Sequence, residues 1–196
     1  REMADCRIER NTITYNAAVS ACEKGEQWVL ALQLFRQMAD CHMERDTITY
    51  SAAVSACGKG EQWVQALQLF RETEDRHVER NTTMYNIAVS ACEKGGQWVH
   101  ALQLFREMAA SGMERDTITY GAAVSACEKG EQWVHALQLF REMAASGMER
   151  DTITYGAAVS ACEKGEQWVQ ALQLFQERAM GTGITALQSD GGQSRG

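Results

Sequence analysis

The chain repeats itself every 35 residues, and this period constrains the fold more than any other feature of the sequence. Aromatic residues recur in register through five units: Tyr15, Tyr50, Tyr85, Tyr120 and Tyr155; Trp28, Trp63, Trp98, Trp133 and Trp168; Phe35, Phe70, Phe105, Phe140 and Phe175. A fixed period between about 20 and 50 residues is typical of a solenoid, in which each unit packs on its neighbours. The units span residues 12–46, 47–81, 82–116, 117–151 and 152–186, and the end of the last unit is degenerate.

The first half of each unit has the pattern of an amphipathic helix. It follows an Asn or Asp and begins with Thr, a combination that supplies the side-chain acceptors of a helix start. In the first unit, apolar residues lie at i, i+3, i+4 and i+7: Tyr15, Ala18, Val19 and Cys22. A glycine follows, and we expect Gly25 and its equivalents to take the left-handed conformation that ends many helices.

The second half of each unit predicts another helix, with apolar residues on two faces. One face holds Trp28, Ala31, Leu32, Phe35 and Met38, and a further face holds Val29 and Leu34. A two-helix unit cannot bury both faces alone, so it must stack on the units before and after it. No long alternation of apolar and polar residues suggests a strand. We therefore predict an all-α fold, a right-handed α-solenoid of stacked helix-turn-helix units whose first helices share a wall.

The two ends of the chain depart from the complete units. Residues 1–11 align with the end of the first unit, which predicts the tail of a preceding unit in a longer array. The repeat pattern runs over residues 12–180, and residues 181–196 have a Gly- and Ser-rich composition that is typical of disorder. No apolar stretch is long enough to span a bilayer, so we expect no membrane partner.

Cysteines and histidines follow the repeat and predict no reactive site. One position on the first helix is always cysteine, and a second position in the turn is cysteine twice: Cys22, Cys57, Cys92, Cys127 and Cys162; Cys6 and Cys41. Equivalent positions in stacked helices lie about 8 to 10 Å apart, too far for a disulfide or a zinc site. We expect buried thiols, no metal and no cofactor. His100 and His135 replace Leu or Gln of other units, and we expect them to face solvent. No catalytic set stands outside the repeat, so we predict neither an enzyme nor a small-molecule substrate.

On these residues the chain resembles the pentatricopeptide repeat family. The runs Ile13–Gly25 and Ala31–Met38 match that family's Thr-Tyr-Asn opening, its Lys before Gly and its Ala-Leu-x-Leu-Phe-x-x-Met helix, and an Asp ends most units. The resemblance covers residues 1 to about 180. The family often has Pro before the final Asp, whereas this chain contains no proline and has arginine there: Arg45, Arg80, Arg115 and Arg150. We expect this departure to loosen the turns without changing the fold class.

The resemblance implies a reader of single-stranded RNA in which each unit selects one base. In such proteins the residue after the Tyr and the last residue of the unit contact the base edge together. The pairs here are Asn16 with Asp46, Ser51 with Asn81, Asn86 with Asp116, and Gly121 with Asp151. By analogy they suggest uracil, adenine, uracil and guanine, and we expect the position after the Tyr to be exposed.

The resemblance also assigns contacts to the base faces. Aliphatic residues near the start of each unit would sandwich the bases: Ile13, Ile48, Ile118 and Ile153, with Thr83 as the departure. Lysines at the end of the first helices are the expected phosphate contacts: Lys24, Lys59, Lys94 and Lys129, with Lys164 equivalent in the last unit. By family analogy we expect a role in RNA processing, stability or translation in a chloroplast or mitochondrion, with other RNA-processing proteins as possible partners.

Charge leaves other classes of function open. A formal net charge of −7 opposes phosphate binding, which drives most nucleic-acid affinity. A tetratricopeptide-like scaffold that grips a basic peptide is the main alternative, and a recent duplication with no selected ligand is another. Variation of the residue after the Tyr through Asn, Ser, Asn, Gly and Gly, within otherwise near-identical units, favours the RNA reading.

Overall fold

Paired helices account for the whole of residues 11–181, the part of the chain that the computed structural model describes, apart from short turns. The helices, two per unit, are α1 Thr12–Lys24, α2 Trp28–Asp40, α3 Thr47–Lys59, α4 Trp63–Asp75, α5 Thr82–Lys94, α6 Trp98–Ala110, α7 Thr117–Lys129, α8 Trp133–Ala145, α9 Thr152–Lys164 and α10 Trp168–Gly181. The predicted all-α class is confirmed. The predicted unit remnant and the predicted C-terminal tail lie, except for their residues 11 and 181, outside the described residues. None of the described helices has the length and apolarity needed to cross a membrane.

Each first helix starts at the expected cap. The side-chain oxygen of Asp116 accepts a hydrogen bond from the backbone N–H of Thr119 at 2.8 Å, and Asn11 does the same for Thr14 at 2.9 Å. The equivalent residues Asp46, Asn81 and Asp151 cap the remaining first helices. A cap of this kind stabilises a helix by about 1 kcal/mol, so the Asn/Asp-Thr signal in the sequence is sufficient to place every first helix.

The glycine after each first helix does not have the conformation that the sequence suggested. Gly25 has a φ of −84°, and the left-handed residue is the next one, Glu26, with a φ of 56°. The reason for glycine is steric. A Cβ atom added to Gly130 would overlap Cδ1 of Trp98 in the preceding unit. The indole therefore packs directly on the glycine backbone, and the same contact recurs at Gly60, Gly95 and Gly165.

The core is a continuous slab shared between units. First helices pack on one another in sequence, from α1 to α3, α5, α7 and α9. The second helices α2, α4, α6 and α8 each pack between their own first helix and the next one, and α10 packs on α9. At each junction a tyrosine meets the phenylalanine of the preceding unit edge-on, as Tyr50 meets Phe35 with ring centroids 5.0 Å apart. Such a pair contributes about 0.5 to 1.5 kcal/mol beyond burial alone. The stacking that the 35-residue period predicted is confirmed.

Arginines occupy the place where the family often has proline, and they tie each turn to the second helix. The guanidinium of Arg45 lies 4.5 Å from the Phe35 ring centroid and donates to the Glu72 carboxylate at 3.0 Å. Arg115 repeats both contacts with Phe105 and Glu142. Cation–π contacts of this kind contribute about 0.5 to 1 kcal/mol, so the arginines stabilise turns that were expected to be loose.

Two expectations about the apolar faces have different outcomes. The valine after each tryptophan is 43 to 54% exposed, as at Val64 and Val99, so the second apolar face of the second helix is only partly packed. The cysteines of the first helices are buried at Cys57, Cys92, Cys127 and Cys162, and Cys22 on α1 is half-buried. Burial raises the pKa of the Cys57 thiol to about 11. These cysteines act as small apolar residues.

Candidate nucleic-acid interface

The stacked helices α1, α3, α5, α7 and α9 form a surface that we call the first-helix wall. Two of the predicted base-selecting pairs are joined there by hydrogen bonds between the first helix of a unit and the last residue of the same unit. The side-chain amide of Asn86 donates to the Asp116 carboxylate at 2.9 Å, and the amide of Asn16 donates to the Asp46 carboxylate at 3.2 Å. The structure therefore brings together residues 30 positions apart that only the resemblance had paired.

A threonine that sequence reasoning did not select completes each of these pairs. The Thr49 hydroxyl lies 2.5 Å from the Asn16 amide oxygen and 2.8 Å from the Asp46 carboxylate. Thr119 makes the same two hydrogen bonds with Asn86 and Asp116. The asparagines are half-buried by these contacts, so the expectation that they are exposed is wrong.

The network changes the acidity of the carboxyl groups. Burial acts to raise the pKa of Asp116, but hydrogen bonds from the Thr119 backbone N–H, the Thr119 hydroxyl and the Asn86 amide outweigh burial. The pKa is therefore held below its ordinary value, as it is for Asp46 by the same donors. Both groups remain carboxylates and act as hydrogen-bond acceptors at neutral pH.

The other two pairs are open. Between the second and third units the threonine is replaced by the buried Met84, and Ser51 and Asn81 make no hydrogen bond with one another in the part of the chain that is described. Between the fourth and fifth units, Gly121 has no side chain to offer. The Thr154 hydroxyl consequently lies buried with no hydrogen-bond partner among residues 11–181, 3.1 Å from where a Cβ atom of residue 121 would be.

The predicted sandwiching residues are among the most exposed apolar side chains of the described region. Exposure is 77% for Ile13, 62% for Ile48, 64% for Ile118 and 76% for Ile153. Thr83, the departure, is exposed as well. A regular row of exposed isoleucines costs solvation free energy in the free protein, which a stacked ligand would recover.

Most of the predicted phosphate-contacting lysines are engaged in ion pairs within the wall. Lys59 pairs with Glu23 at 2.6 Å, Lys129 with Glu93 at 2.5 Å, and Lys164 with Glu128 at 2.5 Å. In each pair the glutamate belongs to the preceding unit and lies one residue before the lysine position of its own unit. Burial acts to raise the pKa of Glu23, but hydrogen bonds from Lys59 and Ser55 lower it below its ordinary value.

Lys94 breaks this series. The position that would supply its glutamate is Gly58, and the Lys94 side chain forms no ion pair or hydrogen bond with any described residue. Lys24 also forms no ion pair with any described residue, although its charge helps to lower the pKa of the adjacent Glu23. The lysines that the sequence treated as equivalent are therefore in two different electrostatic states.

A cavity of about 420 Å³ opens at the Gly58 position. It brings together several predicted site residues from the second, third and fourth units: Lys59, Asn86, Lys94, Asp116 and Ile118. Ser90 and Ala91 of α5 form part of its floor. Volumes of this order accommodate small organic ligands.

The histidines do not face solvent as the sequence suggested. His100 and His135 are half-buried, and each ring packs against the tryptophan of the preceding unit, 5.7 Å from Trp63 and from Trp98 respectively. Within residues 11–181, no group of three or more His, Cys, Asp or Glu side chains is placed to hold a metal ion.

The missed residues share one signal that the sequence does contain. Partners across a unit boundary are offset by 33 or 36 positions rather than 35, as for Asn16 with Thr49 and Glu23 with Lys59. When the units are aligned at the period of 35, each residue is compared with the equivalent residue of the next unit. The residue that it contacts in that unit stands at a different offset and is therefore overlooked. A search for complementary polar types at offsets slightly different from the period would have found both sets.

Family models of the pentatricopeptide repeat match this chain. A model described as "PPR repeat" matches residues 48–78, 83–113 and 118–148, and one described as "Pentatricopeptide repeat domain" matches residues 1–60. Together these matches cover well over half of the chain. None of the curated proteins that were compared matched the chain.

Several solved structures share the fold. The pentatricopeptide repeat protein PPR10 from maize is 23% identical over 91% of this chain, with a TM-score of 0.69. The PPR domain of Arabidopsis thaliana protein-only RNase P 1, solved in complex with tRNA, is 12% identical over 88% of this chain and 90% of that chain, with a TM-score of 0.74. PPR10 has also been solved with an 18-nt psaJ RNA element, at 20% identity over 88% of this chain and a TM-score of 0.66. The chain spans 26% of the length of the maize protein and 28% of its RNA-bound form.

Proposed function

The chain belongs to the pentatricopeptide repeat family, and from this premise we propose that it is a sequence-selective single-stranded RNA-binding module. The observation that carries the proposal is the hydrogen-bonded pairing of Asn86 with Asp116 and of Asn16 with Asp46, each within one unit. These side chains form one polar position per unit on the first-helix wall, and an exposed isoleucine lies at the start of most units. Similar folds have been solved with an RNA element and with tRNA, which supports RNA as the ligand class.

Base selection follows from the donors and acceptors that each pair presents. An asparagine amide with a carboxylate offers donors and acceptors together, and these match the edge of a base that is splayed out of a single strand. We assign uracil to Asn16 with Asp46 and to Asn86 with Asp116, adenine to Ser51 with Asn81, and guanine to Gly121 with Asp151. The isoleucines sandwich the bases, and phosphates are contacted by those first-helix lysines that no glutamate of the described residues neutralises.

The cellular role follows the family. We propose that the bound RNA is processed, stabilised or translated in a chloroplast or mitochondrion, with other RNA-processing proteins carrying out any reaction. We assign no catalytic step to the units themselves.

One observation favours a second candidate. Three lysines of the wall are neutralised by glutamates, so the wall is less positive than the count of lysines suggests. With a net charge of −7, this would suit a scaffold that binds a basic peptide. A titration with a lysine- and arginine-rich peptide separates the two functions, because only the scaffold would bind it more tightly than RNA.

Fluorescence anisotropy with a labelled short RNA containing U-A-U-G tests the RNA function. We expect tighter binding than to a scrambled RNA of equal length, and an affinity that falls as salt rises, because phosphate contacts release counterions. Equal affinity for both RNAs, or an affinity independent of salt, would contradict the proposal.

A further inference from the structure

We propose that Ser90 and Lys94 form an anion site that holds a phosphodiester group of the bound strand, and that Gly58 is the residue that opens it. This inference rests on the proposed RNA binding and assigns the backbone contact to one place in the first-helix wall. Among Lys59, Lys94, Lys129 and Lys164, it assigns the strongest phosphate contact to Lys94, the one lysine that no glutamate of the described residues neutralises.

The geometry of two other junctions defines what the site accepts. Glu23 accepts a hydrogen bond from the Ser55 hydroxyl at 2.9 Å while it pairs with Lys59 at 2.6 Å. Glu128 does the same with Ser160 at 3.0 Å and Lys164 at 2.5 Å. A serine and a lysine four residues apart lie on one helix face, and here they converge on a single anionic group.

At the junction of the second and third units the donors are present and the acceptor is missing. Ser90 and Lys94 correspond to Ser55 and Lys59, but Gly58 stands in the place of the glutamate. Neither the Ser90 hydroxyl nor the Lys94 ammonium forms a side-chain hydrogen bond or an ion pair with any residue of the described range. A pair of donors that binds a carboxylate elsewhere is free here to bind an anion from solution.

The cavity at Gly58 gives the anion a place and a connection to the base. Its volume of about 420 Å³ is bounded by Ser90 and Lys94 and also by the base-selecting Asn86 and Asp116. Asn86, Ser90 and Lys94 follow at i, i+4 and i+8 on α5, so they share one face. Asp116 is the one carboxylate among the lining residues, and Thr119 and Asn86 hydrogen-bond to it. One nucleotide could therefore place its base against Asn86 and its phosphate against Lys94.

The decisive variant is Gly58→Glu, which restores the glutamate that pairs with the lysine at the other junctions. Glu93 and Ala126 are the residues equivalent to Gly58 and Ala91 one unit further on. The junction should therefore tolerate a glutamate at residue 58 once Ala91, 3.1 Å from a Cβ atom there, shifts by a few tenths of an ångström. We expect about tenfold weaker RNA binding for every base sequence, and a slope of log affinity against log salt that is smaller by about 0.7, the contribution of one phosphate on a single strand. Thermal stability should not fall, because the introduced carboxylate would accept hydrogen bonds from Ser90 and Lys94.

Matched variants separate the site from general charge. Lys94→Met should weaken RNA binding as much as Gly58→Glu does, whereas Lys129→Met, which removes a lysine already paired with Glu93, should leave affinity within about twofold. Glu128→Gly frees Ser160 and Lys164 and should strengthen RNA binding. Unchanged affinity and salt slope in both Gly58→Glu and Lys94→Met would overturn the anion site while leaving RNA binding intact.

Inorganic phosphate alone provides a test that does not depend on RNA. We expect phosphate to raise the Tm of the wild-type chain more than that of Gly58→Glu. If phosphate does so while no RNA binds, the anion site stands and the proposed RNA function fails. If phosphate affects both proteins equally and Gly58→Glu binds RNA as the wild type does, the anion site is wrong.

Discussion

The junction between the third and fourth units and the junction between the second and third units have the same packing and opposite polar chemistry. In the first, Asn86, Asp116 and Thr119 satisfy one another, and Glu93 neutralises Lys129. In the second, the corresponding positions are Ser51, Asn81 and Met84, and Gly58 leaves Lys94 unpaired. The aromatic contacts hardly differ, with ring centroids 4.9 Å apart for Phe105 and Tyr120 and 5.0 Å for Phe70 and Tyr85.

This difference shows that the residues that hold the units together are not the residues that are available to bind a ligand. Apolar and aromatic residues hold every junction together, so polar groups are free to vary without loss of the fold. Where the polar groups pair with one another they add stability, and a ligand must compete with those pairs. Where they are unpaired, a ligand meets donors that have no other partner. An unpaired group binds more readily because no internal hydrogen bond is lost.

The largest effect should come from the contact that the two junctions share. Gly95→Ala and Gly130→Ala each place a Cβ atom in steric overlap with the Cδ1 atom of a tryptophan, Trp63 and Trp98. We expect both to destabilise the array by about 3 kcal/mol, because overpacking forces the indole and backbone apart. Urea unfolding measures this free energy. Gly25→Ala is the matched control, since the nearest atom to its Cβ is a backbone oxygen at 3.4 Å, and it should change stability by less than about 0.5 kcal/mol. A much larger cost at one of the two junctions would show that their packing is not equivalent.

A smaller effect should distinguish the junction between the third and fourth units, which we call the closed junction, from the junction between the second and third units, which we call the open junction. Asn86→Ser removes the amide that donates to Asp116 and the oxygen that accepts from Thr119, and it should destabilise the chain by about 1 to 2 kcal/mol. Ser51→Ala, the equivalent change at the open junction, should cost less than about 0.5 kcal/mol. Thermal unfolding of both variants tests the comparison. Equal losses would mean that the hydrogen bonds of the closed junction contribute no net stability.

The sequence was sufficient for the parts of the structure that depend on equivalence between units. The helix starts and the buried cysteines recur with the 35-residue period, so their positions in one unit predict their positions in the others. The role of glycine was misread because its cause lies in the preceding unit. Trp98, which packs on Gly130, is far away in sequence and is not visible in local turn rules.

The polar part of the site could be predicted only in part. The resemblance supplied the pair Asn86 and Asp116, but the third member Thr119 and the neutralised state of Lys129 depend on the offset between stacked helices. The lysines are identical in the sequence, whereas one residue of the preceding unit decides whether each of them is ion-paired. Gly58, a single departure in an otherwise repeated position, is therefore the most informative residue for function.

The smallest expected effect is a pH dependence that only the closed junction should show. The pKa of Asp116 lies below its ordinary value of 3.8, so the folded state favours the carboxylate. Its contribution to stability is complete above the ordinary value and is lost as the pH falls through the lower, folded-state pKa. Asp116→Asn keeps a cap, as Asn81 does at the open junction, but removes the titration. We expect the wild type to exceed this variant by about 0.5 kcal/mol near neutral pH, because solvent screens a half-buried carboxylate, and the difference should shrink toward zero in acid. Urea unfolding at a series of pH values measures it. A difference that grows as the pH falls would mean that the Thr119 and Asn86 hydrogen bonds favour the protonated acid, and that the closed junction is not held by charge-assisted bonds.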